Sequence, residues 1–146
     1  MSRNTRRVAG SIIIFAAGFV LGNVLDVTLT VNAQSGKVFE LRTYTSADGL
    51  LPNLQARFRD HTMRIFERHG MKNVGYWVPQ DSPTSAYTLI YIISHDSRQA
   101  ATDSWASFRA DPEWVKVSQA SRVDGQSIVA KVESVFMEST DYSPIK

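Results

Sequence analysis

The sequence predicts an α+β domain of the ferredoxin-like βαββαβ type, a four-stranded antiparallel sheet with its helices on one face. Three observations predict it. Residues 37–46 and 126–137 alternate side chains with the period of two of a strand between unlike environments. Residues 51–69 instead repeat apolar side chains at spacings of three and four, the signature of an amphipathic helix. The run Ala86 to Ser94 is rich in β-branched and aromatic residues, as a central strand covered on both sides should be.

In chain order, the first strand is KVFELRTYTS, with Val38, Glu40, Arg42 and Tyr44 on one side and Phe39, Leu41 and Thr43 on the other. Asp48 and Gly49 turn the chain, and Pro52 is compatible with the first turn of the helix that follows. In that helix Leu51, Leu54, Phe58, Ile65 and Phe66 form the apolar stripe. Arg57, Arg59, Asp60, Arg64, Glu67 and Arg68 take the rest of the circumference. Gly70 closes the helix, since glycine adopts the left-handed conformation at little cost, and His69 sits where a ring can meet the last carbonyls. Met71 to Val78 is the second strand, bounded by Pro79 and the turn-rich loop PQDSPTS, and Ala86 to Ser94 is the third.

His95, Asp96 and Ser97 are capping residue types, and Ala101, Trp105 and Phe108 then mark a second helix ending near Ala110. Asp111 followed by Pro112 starts a short third helix, an N-cap acid before a proline at the first position, reaching about Ser121. Asp124 and Gly125 turn the chain into the last strand, residues 126–137. With right-handed crossovers, both helices lie on one face of the sheet. The opposite face is expected to carry Tyr44, Tyr91 and either Tyr76 or Trp77. An apolar face of that size asks for cover, which a two-fold homodimer supplies.

Composition restricts the function classes. At 146 residues with 43 % hydrophobic residues, one globular domain is expected. Residues 1–33 read as a targeting segment: Arg3, Arg6 and Arg7 precede an apolar run, and Val31, Asn32 and Ala33 form a small-residue cleavage site. Cleavage after Ala33 leaves residues 34–146 as the exported domain. An uncleaved membrane anchor over residues 8–31 is the alternative, made second by Asp26 and by an apolar run shorter than a membrane span. Without the leader, 13 basic residues face 13 acidic ones, so no basic stripe awaits nucleic acid. The chain has no cysteine and therefore no disulfide framework.

The pieces FELRTY at Phe39 to Tyr44, FERHG at Phe66 to Gly70, GYW at Gly75 to Trp77, WASFRADPEW at Trp105 to Trp114 and DYSP at Asp141 to Pro144 resemble the NIPSNAP family. The resemblance spans Val38 to Pro144. It implies a dimeric α+β barrel and leaves the reaction open. The export-type leader differs from the mitochondrial address of animal members.

No serine sits in a glycine-flanked elbow, and His61, His69 and His95 lack the spacing of helical zinc ligands, so neither a nucleophile nor a metal site is expected. No glycine-rich loop follows a strand, and no cofactor is implied. Glu40 and Arg42 share a strand face and must pair with each other, or with Lys131 and Glu133, if that face is buried. Two readings follow. In one, the pair is structural. In the other, Arg42 holds an acidic or carbonyl ligand, Tyr44, Tyr91 and Trp77 wall the pocket, and His61 carries a proton. Trp105, Phe108 and Trp114 are expected in core or dimer packing. The favoured function is an exported homodimer that binds a small hydrophobic or acidic molecule, or a protein. The alternative is an enzyme of the cofactor-independent monooxygenase, isomerase or haem-degrading kinds found among dimeric α+β barrels.

Overall fold

The structure, a computed structural model, describes residues 36–146. The leader, its cleavage site and the anchor alternative lie outside the described residues. Strand β1 (Val38–Ser46) leads into α1 (Leu51–Arg57), which continues through a π-helical stretch (Phe58–Thr62) into α2 (Met63–Arg68). Then come β2 (Lys72–Trp77), a 3-10 turn (Thr84–Ala86), β3 (Thr88–His95), α3 (Arg98–Ala110), α4 (Pro112–Ala120) and β4 (Val129–Met137). The sheet order is β2-β3-β1-β4 and all pairings are antiparallel. This is the ferredoxin-like arrangement expected from the element order.

The punctuation works as the residue types dictate. Gly70 has φ +76 and closes α2, and Asp124 and Gly125 both take positive φ in the turn before β4. Ser97 caps α3 by accepting from the Ala100 N–H, while Asp111 caps α4 by accepting from the N–H groups of Glu113 and Trp114. Two strand ends differ from expectation by more than one residue. Ala86 and Tyr87 stay out of β3, because the Tyr87 N–H is taken by the Thr84 carbonyl in the 3-10 turn. The last strand begins at Val129.

The single long helix is also interrupted. The Met63 N–H bonds back to Phe58 O, five residues earlier, and the Thr62 hydroxyl donates 3.1 Å to Arg57 O. Such wide turns loosen the helical ladder and recur at functional sites; this one begins directly after Arg57.

The core lies between sheet and helices. Leu54, Phe58, Ile65 and Phe66 pack against Leu89, Tyr91 and Ile93 of β3, each fully buried apolar side chain contributing about 2 kcal/mol. The faces are therefore reversed relative to expectation: Tyr44, Tyr76 and Tyr91 point under the helices, with Tyr76 and Tyr91 stacked at 5.4 Å. Trp77 alone of the expected aromatics remains outside, 51 % exposed, its ring lying over Gly75. The open face is otherwise aliphatic, with Val74 and Val135 exposed and Glu138, Ser139, Thr140, Ser143 and Ile145 bordering a groove over Phe39, Ile92 and Met137. No described helix is long and apolar enough to cross a membrane.

Candidate functional site

The helices leave β4 largely uncovered, so a seam runs between the inner face of the sheet and α3 and α4. Its polar floor is set by β1. Glu40, 1 % exposed, is a four-donor acceptor: Arg42 Nη1 at 2.5 Å and Ser134 Oγ at 2.6 Å approach Oε1, and Trp105 Nε1 at 2.7 Å and His95 Nε2 at 3.1 Å approach Oε2. Burial pushes its carboxyl up, but the hydrogen bonds from His95, Ser134 and Trp105 and the charge of Arg42 outweigh that and hold it at about 2. An ionised carboxylate only accepts, so His95 Nε2 carries the proton and Nδ1 is left without a partner among the described residues.

Arg42 stacks its guanidinium 4.3 Å from the Trp105 ring and reaches the Tyr44 hydroxyl at 3.4 Å. Burial alone would lower its pKa; Tyr44, Tyr91 and Glu40 more than reverse that. The expected pairing of Glu40 with Arg42 thus exists, whereas Lys131 and Glu133 pair with each other at 2.9 Å. Around this floor opens a trough of ≈ 590 Å³ bordered by Tyr44, Trp105, Phe108 and Trp114. Past Tyr44, Phe108 and Trp114, it meets an inner cavity of ≈ 230 Å³ that Phe58, Phe66 and Val132 also line.

Arg57 lines that inner cavity. Only 9 % exposed, it donates from Nη1 to Ser121 Oγ at 3.1 Å and lies 5.2 Å from the centre of the Trp114 ring. Its Nε is buried without a partner, and no carboxylate pairs with it among the described residues. Burial lowers its pKa, opposed only by Tyr44 and Tyr91. The Tyr91 hydroxyl, also unpartnered among the described residues, is pushed up by burial first and by Tyr44 next.

The sequence-predicted set is thus divided. Arg42 and Tyr44 border the trough, with Tyr91 packed behind Tyr44 at 5.2 Å between ring centres. Trp77 does not wall it, because its position on β2 points to the opposite face. His61 faces an outer cavity of ≈ 640 Å³ between the α1 segment and α4, which shares Arg57 and Arg122 with the inner cavity and no lining residue with the trough. Trp105, Phe108 and Trp114, expected in packing, are walls of the seam as well as core. The sequence pattern places Arg57 on the polar circumference, whereas the structure buries it; its spacing of three from Leu54, inside the apolar stripe, is the signal for burial. Among the described residues, no cluster of His, Asp or Glu could hold a metal.

Residues 39–144 match the family model for NIPSNAP. The chain belongs to the NIPSNAP family. A NIPSNAP family protein of unknown function from Agrobacterium tumefaciens superimposes with a TM-score of 0.65 at 22 % identity, over 77 % of this chain and 96 % of that one. An uncharacterised NIPSNAP-like domain protein from Burkholderia xenovorans does so at 0.63 and 14 % identity, over 75 % and 90 % of the two chains. SnoaB, a cofactor-independent oxygenase from Streptomyces nogalater, shares the fold at 0.50 and 14 % identity, over 75 % of this chain and 98 % of its own. No curated protein matches significantly. At these identities the solved structures bear on fold alone, in agreement with the α+β architecture described above.

Proposed function

We propose that this NIPSNAP protein is an exported, homodimeric small-molecule-binding domain whose ligand occupies the seam and presents an acidic or carbonyl oxygen to Arg57. The observation that carries this reading is Arg57 itself. A desolvated guanidinium without a counter-ion is costly, and a fold keeps one where a ligand supplies the missing negative charge. Arg42 does not take that role, because Glu40 already neutralises it. Aromatic walls on both sides of the inner cavity suit a flat or apolar body. The dimer reading is supported by exposed Val74, Trp77 and Val135 on the open sheet face, which a second copy would cover.

Arg57→Met tests the reading. The isostere removes an unpaired buried charge, so it is expected to raise stability by about 1 kcal/mol or more while losing the ligand. Native mass spectra of wild type and variant, purified from the exported fraction, should show a dimer with a co-purified acid only for wild type. Empty wild-type protein together with a destabilised variant would overturn the proposal.

An enzyme of the cofactor-independent oxygenase kind is the second reading. It is favoured by Tyr44, which lines both the trough and the inner cavity with its hydroxyl 3.4 Å from the Arg42 guanidinium, while Arg57 lines the inner cavity beside it, an arrangement suited to stabilising a substrate oxyanion. Oxygen uptake on adding the co-purified molecule would support it, and its absence would leave binding alone.

A further inference from the structure

Resting on the small-molecule reading, we infer that the ligand is an acidic amphiphile, with an apolar body in the inner cavity and a head of more than one negative charge in the outer one. The two cavities share Arg57 and Arg122, so a molecule seated in the inner one has its polar end directed past these arginines into the outer.

The charges of the outer cavity set the head. Arg57, Lys116 and Arg122 line it, against Asp60 and Glu113. Glu113 is already compensated outside the cavity by Arg64 and by Arg68, the latter at 2.9 Å, which leaves Asp60 alone against three cations. Arg122 is steadied by its Nε donating 3.0 Å to Gly125 O, and Arg57 by Ser121. A single carboxylate would satisfy Arg57 and, with Asp60 offsetting one of the other two cations, leave one positive charge unanswered. A phosphate monoester or dicarboxylate, with Asp60, balances the set, since charge-assisted bonds to guanidinium groups are strong and spread over several oxygens.

Three probes with one body separate head from body: 1-naphthyl phosphate, 1-naphthoate and 1-naphthol, titrated by their fluorescence against the full-length protein. The expected order of affinity is phosphate, carboxylate, alcohol, with about tenfold or more between first and last at low salt and a smaller gap at high salt. Lys116 and Arg122 are on the surface, so Lys116→Gln/Arg122→Gln should fold as wild type, erase most of the advantage of the phosphate and leave 1-naphthol binding unchanged. Equal affinity for all three probes, or an unchanged order in the double variant, overturns the inference while leaving the small-molecule reading intact. Failure of every probe to bind at millimolar concentration overturns both.

Discussion

Glu40→Gln removes the charge on which the polar floor of the seam depends. Glutamine keeps the volume but offers one acceptor oxygen and one donor amide to four donors, so Arg42 loses its counter-ion and part of the set with Trp105, His95 and Ser134 opposes donor to donor. Breaking a buried ion pair costs about 3–5 kcal/mol; the Trp105 ring, 4.3 Å from the guanidinium in wild type and variant alike, does not change that difference. The depression of the carboxyl from 4.5 to about 2 leads independently to about 3 kcal/mol, somewhat less after screening because Arg42 is 14 % exposed. The pH window follows from the sign. A folded pKa below the unfolded one contributes fully above about pH 4.5 and is lost as pH falls towards 2. Urea unfolding of wild type and variant should therefore show the full gap at pH 7 and less than half of it at pH 3, with equal m-values. A gap below about 1 kcal/mol at pH 7, or one that does not change with pH, refutes the reasoning.

Three further outcomes are expected. Gly75→Ala places a Cβ 2.5 Å from the Trp77 ring, so the half-exposed indole must swing away; tryptophan emission should shift to the red at a loss of about 1 kcal/mol, and unchanged emission would contradict the packing. Gly70→Ala meets no clash, Ser104 Oγ being 3.6 Å away, but φ +76 should cost about 1–2 kcal/mol in thermal unfolding. Asp111→Asn retains the cap on α4 but removes the carboxylate that faces His69 and Arg68 at 2.6 Å each. The pairing holds that carboxyl below its ordinary value of 3.8, so the advantage of wild type over the variant should be present at neutral pH and fade as pH falls below that value. Identical melting curves at both pH values would mean the pairing contributes nothing.

The elements were legible because their signals are local. Alternation gave β1 and β4, Gly70 the end of the helix, and Asp111 with Pro112 the start of α4. Which face of the sheet the helices cover was not legible. On β3 both parities are apolar, Leu89, Tyr91 and Ile93 against Ile90 and Ile92, so burial energy alone does not choose between them. The choice is made by shape and polarity at a distance. Phe58 and Phe66 of the helical segment meet Tyr91 ring to ring, and Trp105, 65 residues from Glu40, provides the donor that lets a carboxylate be buried on that parity. Periodicity within one strand carries neither contact, so it leaves the faces of Tyr44 and Tyr91 open.

Arg57 is the same problem in one residue. Its place in the helical stripe marks it for burial and its charge marks it for solvent; only Trp114 and Ser121, 57 and 64 positions on, decide between them. Local pairing then separates structural charge from functional charge. Arg42 has Glu40, Arg64 and Arg68 have Glu113, and His69 has Asp111, so the chain supplies carboxylates where a cation serves the fold. At the most enclosed cation of the seam it supplies a hydroxyl and a ring instead. That choice leaves the guanidinium held in place and, among the described residues, without a carboxylate, which is the state the proposed anion site requires before its ligand arrives.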